Sequence, residues 1–461
     1  MATLRLTIRS QATVKSIGRI AVSHLRNPAS RSFSHASQRQ SAATAESTAP
    51  RVQHAGPLYS QTTQPINYSS TIKIPIDGEA VEFDSIFLRD ACVCPECVDV
   101  SSTNKNFATS DIPSDIEGSF RGISTTNGQE SAIVHWNRDA QGWSSEHVTT
   151  IPIDTLQRLA AGDKRTHISH FKPSNRVFWD SKTMEANNNF IDFAEYKNTD
   201  KAVYQALKML ESHGLVFLRN VPDSTSTDSG ASITDVVSRI GPLRSTFYGL
   251  TWDVRSVPKA INVAYTNKFL GLHTDLCYLD LTPQYQILHS MRAKAPGGES
   301  MFADSFKAAE TLRQTHPKLF EALVRFPVTF HYYNAGQSYR QIRCTVELED
   351  KNDLNSPIKN TNWSPPFQGP FALDIGSRDG GKALREFHEA SQKFEDLISA
   401  PENVFELRMN EGECVLFDNR RVLHARREFD PTKGERWLKG AYLDRDVFAS
   451  RLARLEEQYG T

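Results

Sequence analysis

The chain has 461 residues, with 53 Lys and Arg against 54 Asp and Glu, and a formal net charge of −1. That balance, without basic clustering in the body of the chain, gives no electrostatic footprint for nucleic acid. No apolar run approaches the roughly 18 residues a membrane-spanning helix needs, and the length allows two or three domains.

Residues 1–45 differ from the rest. They hold no Asp or Glu, many serines, and the cations Arg5, Arg9, Lys15, Arg19, Arg26, Arg31 and Arg39. This is the composition of a mitochondrial transit peptide. Leu4, Leu6, Ile8, Val14, Ile17, Ile20, Val22 and Leu25 can form an apolar stripe on a basic helix, and Arg31-Ser32-Phe33-Ser34 resembles a matrix-processing site. The expectation is import into the mitochondrial matrix; a disordered basic tail would instead leave the protein in the cytoplasm. Removing the stretch leaves a mildly acidic chain, which suits a cationic substrate. Residues 46–66 are polar, aperiodic and Pro-containing, and read as a linker.

A small N-terminal domain is expected over residues 67–165. TIKIPI and VEFDSIFLRD alternate like strands, SAIVHWNRD continues the pattern, and TLQRLAAG reads as a short helix. Cys92, Cys94 and Cys97 fall on one tight turn, while Cys277, Cys344 and Cys414 are scattered. In a reducing compartment a tight cluster points to a metal, and the scattered three read as core filler. Three thiolates take a fourth ligand readily in a closed zinc site, with His135 and His147 as candidates. Reduced free cysteines are the plainer alternative.

The larger domain is placed at 166–461, with residues 166–195 as a connection. AVYQALKMLESHG predicts an amphipathic helix closed by Gly214. Strand-like runs follow: LVFLRNV, AINVAYT, YQILHSM, ESMFAD, PVTFHYY, CVLFDNRRVLHARR and WLKGAYLDRD. AAETLRQTHPKLFEALVR and ALREFHEASQKFEDLI interrupt them as helices. Short strands with a few helices fit a mainly β fold, a double-sheet jelly roll decorated by helices.

The chemistry is read from His273-Thr274-Asp275. On a strand, residues two apart face the same side, so an imidazole and a carboxylate would share a point. His424, on a late strand, supplies a third ligand. Two His and one carboxylate on one face of an octahedron leave open positions, the arrangement of non-haem iron(II) oxygenases. A lone H-x-D recurs by chance, and each His taken singly is a surface or core residue. Arg436, twelve residues after His424, adds weight: its guanidinium can clamp the far carboxylate of a chelating 2-oxoacid in a way Lys cannot.

The runs FYGLTWDV, INVAYTNKFLGLHTDLCYLDLTPQYQILHSM, GGES, FDNRRVLHARR and RWLKGAYLDRD resemble the gamma-butyrobetaine dioxygenase and trimethyllysine dioxygenase family, within the taurine-dioxygenase-like oxygenases. The resemblance spans about residues 70–450. It implies a double-stranded β-helix (jelly-roll) core beside a small zinc-binding β domain. It also implies iron(II), 2-oxoglutarate and O2 as cosubstrates, ascorbate as reductant, and a homodimer. His273, Asp275 and His424 match the catalytic iron ligands. Asn262 and Arg436 match side chains that hold 2-oxoglutarate, and Leu288 a backbone contact to it. His147 in SEHVTTIPIDTL matches the zinc His better than His135.

Tyr248, Trp252, Tyr265 and Tyr442 match an aromatic cage for the substrate. A quaternary ammonium has charge but no N–H donor, so it is held by cation–π attraction, worth ~0.5–2 kcal/mol per face. Each ring taken alone could be core. FYGLTW and NVAYT resemble the butyrobetaine enzymes more than the trimethyllysine ones. NTNWSPPFQGPF departs from the Asn-rich stretch that touches substrate there, so Asn360 and Asn362 are not assigned. The expected reaction is hydroxylation of gamma-butyrobetaine to L-carnitine. Trimethyllysine or another quaternary amine is the nearest alternative, an unrelated acid the next, and a non-catalytic zinc-stapled binding module the alternative from another class.

Overall fold

Period-two alternation sets the first hairpin. In the strand Thr71–Ile76, Ile72, Ile74 and Ile76 are buried while their neighbours face water. Asp77 and Gly78, both at positive φ, make the tight turn into Glu79–Asp84, as an Asp-Gly pair favours. The computed structural model describes residues 70–144, 146–161, 175–187, 190–223, 232–256, 265–372 and 378–460. The transit-peptide, linker and Asn262 assignments fall outside the described residues, as does most of AINVAYT.

The strand expected to run through SIFLRD stops at Asp84. The Asp84 carboxylate accepts hydrogen bonds from the Ile86 and Phe87 amides and caps a helix, Ser85–Asp90. A three-stranded antiparallel sheet follows, Glu117–Thr126, Gln129–Arg138 and Val148–Pro152, and then the helix Ile153–Ala160. Ile72, Ile74, Leu88, Val134, Trp136 and Leu156 close one core among these pieces, with Cys92 and Cys97 buried in it and Cys94 packed against it. The stretch read as a connection contains a helix, Ser181–Asn187, and the start of another at Phe193.

The helix Asp200–His213 begins where Thr199 accepts from the Ala202 amide and ends at Gly214, whose φ is 72°. A side chain there would strain the backbone, and its Cβ would stand 2.9 Å from Val422 Cγ2. The helix buries Val203, Ala206, Leu207 and Leu210 on the outer face of a six-stranded sheet. Each Leu contributes roughly 1.5–3 kcal/mol by leaving water.

That sheet runs in the order Ile191–Asp192, Leu215–Arg219, Cys414–Asp418, Tyr285–Ala293, Arg436–Leu443, Thr251–Arg255. All its pairings are antiparallel except the first. A four-stranded antiparallel sheet runs Val404–Leu407, Ser300–Asp304, Val422–Arg426, Leu270–His273. Phe217, Phe417 and Leu438 of the first sheet interleave with Phe302, Phe405 and Val422 of the second. Phe302 lies 5.9 Å from Phe217 and 5.7 Å from Phe417, both edge-on. The helices Ser305–Thr315, Pro317–Arg325 and Arg378–Ser399 pack in a further core shared with residues of the four-stranded sheet. The first two were expected as one helix. Pro317 opens the second at its first turn and disfavours the helical conformation at His316.

Candidate metal and cosubstrate site

The strands Leu270–His273 and Val422–Arg426 pair so that His273 and His424 are opposite one another, their rings 4.1 Å apart. Asp275 joins them, and the three offer ligand atoms within 4.8 Å of one another. The route differs from the expected strand alternation, because the strand ends at His273. Asp275 lies in the following turn, ahead of Leu276 at φ 60°. Asn419 fixes that turn. Its side-chain oxygen accepts from the Asp275 amide at 2.8 Å, and its nitrogen donates to the Asp275 and Pro283 carbonyls at 3.1 and 3.0 Å. Thr274 is tied to Trp363 by two further hydrogen bonds. Asn419 lay in view within FDNRR but carries no chemistry of its own, so sequence reasoning passed over it.

The donor set fits a hard or borderline divalent ion. His273 Nδ1 lies 2.9 Å from the Gly271 carbonyl, which fixes the proton there and leaves Nε2 for the metal. Nε2 is 3.2 Å from Asp275 Oδ1. Burial pushes His424 down to about 3, with His273 adding to the effect, so its imidazole is neutral at physiological pH. Burial works against the Asp275 charge, yet with the Tyr442 hydroxyl donating to it and the His273 and His424 rings beside it the carboxyl is held below its usual range.

Around these ligands lies a pocket enclosing about 680 Å³, its mouth included. All four expected cage residues line it: Tyr248, Trp252, Tyr265 and Tyr442. Trp252 stacks on Tyr442 at 4.2 Å, Tyr248 lies 6.1 Å from Trp252, and Tyr265 meets Tyr248 edge-on at 6.4 Å. Tyr278, Phe367 and Gln286 line it too, though sequence reasoning missed them. Gln286 is a polar side chain on a buried strand, and its Oε1 has no hydrogen-bond partner among the described residues.

Arg436 opens into the same pocket from the start of its strand. Its Nε donates to the Gly298 carbonyl at 3.0 Å, and no acidic side chain pairs with it among the described residues. Burial and the neighbouring Arg426 push it down to about 9, against the pull of Glu299. Both guanidiniums flank the Phe429 ring. Gly298 makes room: a Cβ there would come within 2.7 Å of Arg436 Cδ and Nε. Leu288 lines the pocket, but its backbone sits mid-sheet between Val415 and Gly440, so its side chain is what faces the cavity. Asn360 and Asn362 donate to Glu347, and Arg420 donates to Asn362; this network lies outside the pocket lining.

The cysteine cluster also assembles. Cys92, Cys94, Cys97 and His147 offer atoms within 4.8 Å of one another, and His147 Nε2 lies 3.3 to 3.5 Å from the three sulfurs. Tetrahedral zinc with Zn–S ~2.3 Å and Zn–N ~2.0 Å requires a separation of about 3.5 Å. Asp139 accepts from His147 Nδ1 at 2.5 Å and pairs with buried Arg89, whose Nη1 points at Cys97 Sγ at 3.3 Å. These two supporting residues were not foreseen. His135 is absent from the cluster.

Two imidazoles set by paired strands and a carboxylate on the turn that follows, beneath an aromatic pocket, make the donor set of a mononuclear non-haem metal oxygenase. Residues 180–442, more than half of the chain, match the family described as taurine catabolism dioxygenase TauD, TfdA, and the chain belongs to that family. It is 36% identical over 374 residues to dioxygenase str8 of Strobilurus tenacellus, covering 79% of this chain and 83% of that one. It is 29% identical over 407 residues to the gamma-butyrobetaine dioxygenase of Pseudomonas sp., covering 87% and 97%. It is 28% identical over 402 residues to the trimethyllysine dioxygenase of Meyerozyma guilliermondii, covering 83% and 94%.

Proposed function

We propose that this chain is an iron(II)- and 2-oxoglutarate-dependent dioxygenase that hydroxylates a quaternary ammonium substrate, gamma-butyrobetaine to L-carnitine being the first choice. One observation carries the reading: His273, Asp275 and His424, the guanidinium of Arg436 and four aromatic rings all open into the same pocket. Bound there, iron(II) would supply the activation of O2 that couples decarboxylation of 2-oxoglutarate to hydroxylation, with ascorbate keeping the metal reduced.

The chain's own residues bind and orient. Arg436 offers the guanidinium that pairs with the far carboxylate of 2-oxoglutarate, in a pocket where little water competes. Trp252, Tyr248, Tyr265 and Tyr442 supply ring faces for a methylated ammonium that cannot donate hydrogen bonds. Leu270, Leu276, Leu288 and Leu438 complete an apolar wall that limits water near the metal ligands. The near-equal identity to a trimethyllysine dioxygenase keeps trimethyllysine as the second substrate to test. A non-catalytic binding module would have no need of the assembled His273, Asp275 and His424.

The same reading takes the two packed sheets as a double-stranded β-helix and Cys92, Cys94, Cys97 and His147 as a structural zinc site. It takes residues 1–45 as a matrix-targeting segment and the assembly as a homodimer. None of the described helices is long and apolar enough to cross a membrane.

The test is succinate release with iron(II), ascorbate and 2-oxoglutarate against gamma-butyrobetaine, trimethyllysine, taurine and a blank. Release above the blank with gamma-butyrobetaine, lost in His273→Ala, is the expected result. Release with taurine alone would overturn the substrate class. Release that survives in His273→Ala would overturn the metal assignment.

A further inference from the structure

Tyr442 occupies two places at once. Its ring stacks on Trp252 at 4.2 Å and lines the pocket. Its hydroxyl donates to Asp275 Oδ2 at 2.8 Å, and the residue is only 1% exposed. The other carboxylate oxygen, Oδ1, stands 3.2 Å from His273 Nε2. The Asp275 carboxylate therefore has one oxygen held from the aromatic wall and the other turned toward the first imidazole.

The strands explain the placement. Tyr442 pairs with Gln286 across the six-stranded sheet, two residues beyond Gly440, which pairs with Trp252. A Cβ on Gly440 would come within 2.4 Å of the Trp252 ring, so the bare backbone there lets the indole lie flat along the strand. The indole then reaches the Tyr442 ring two residues on, on the same face of the sheet.

We infer that Tyr442 is a positioning residue that joins the substrate wall to the metal site: its hydroxyl fixes the Asp275 carboxylate so that one oxygen is presented to the metal, while its ring meets the substrate. This rests on the proposed metal assignment and goes beyond it. A carboxylate held by one O–H donor cannot swing freely to chelate with both oxygens. Loss of such an outer partner typically lowers metal affinity 10–100-fold. Because the ring and hydroxyl are one rigid group, a ligand on the ring face is felt at the carboxylate.

The experiment uses the full chain with manganese(II), a redox-stable ion that prefers N/O ligands over the cysteine cluster, followed by electron paramagnetic resonance. Tyr442→Phe keeps the ring and removes the hydroxyl. The expected result is a manganese dissociation constant raised at least tenfold, with gamma-butyrobetaine affinity in calorimetry changed by less than threefold. In the unmodified chain gamma-butyrobetaine should alter the manganese spectrum, and in Tyr442→Phe that response should be lost. Trp252→Phe is the second variant; it disturbs the stack but spares the hydroxyl, so manganese affinity should hold. Equal manganese binding in Tyr442→Phe and the unmodified chain overturns the inference alone. So does an equal loss in both variants, which would mark a packing effect. Manganese binding that is absent from the unmodified chain, or unaffected by His273→Ala, overturns the metal assignment as well.

Discussion

Replacing Asn419 by Ala removes three hydrogen bonds in one step: one accepted from the Asp275 amide and one donated to its carbonyl, both partly buried, and one buried bond donated to the Pro283 carbonyl. Asn419 is fully buried, so water cannot take over these partners without opening the turn. At a net worth of ~1 kcal/mol for each bond, the expected destabilisation is about 3 kcal/mol. The same change frees the turn that carries Asp275, so manganese affinity should fall with stability. The assay is urea unfolding followed by fluorescence, alongside Asn410→Ala. Asn410 is exposed and bonds Glu413 across three residues, so its loss should cost no more than about 0.5 kcal/mol. A loss below about 1 kcal/mol in Asn419→Ala, or one no larger than in Asn410→Ala, would refute the idea that this side chain holds the metal carboxylate in place.

Arg436→Lys should weaken 2-oxoglutarate binding by roughly 10–100-fold in calorimetry, since a point charge replaces a two-pronged donor; this corresponds to about 1.4–2.8 kcal/mol. An unchanged dissociation constant would remove Arg436 from the cosubstrate site. Trp252→Ala should weaken the amine substrate by about tenfold or more and 2-oxoglutarate by less than twofold; equal effects on both would argue against a cage. Cys94→Ser should bring the zinc content measured by mass spectrometry close to zero and lower the unfolding midpoint, and an unmodified chain without zinc would sink the cluster assignment.

The parts legible in the sequence were those with a local rule behind them. Ile72, Ile74 and Ile76 alternate because one face of the strand is buried. Gly214 closes its helix because only a residue free of Cβ fits φ 72° beside Val422. His273, Asp275 and His424 could be named because few side-chain sets serve as metal donors. What escaped was set by partners distant in sequence. Asp275 was expected on a strand, whereas a clamp from a residue 144 positions later holds it in a turn. The SIFLRD stretch alternates well enough for a strand, yet Asp84 capping decided for a helix. Arg89, on the helix Ser85–Asp90, and Asp139, just past the strand Gln129–Arg138, pair with each other beside the cysteine cluster, which no spacing announces. Asn360 and Asn362, open from sequence, bond Glu347 and lie outside the pocket lining.

The position that frames the proposed cosubstrate cation contributes no functional group: Arg436 fits only because nothing projects from residue 298. Any library that varies the pocket to change substrate range should therefore leave this residue untouched, since even a methyl group would push against the guanidinium stem. Acceptor scope can instead be varied at Tyr248, Trp252 and Tyr265, which line the pocket, while Tyr442 keeps its hold on Asp275.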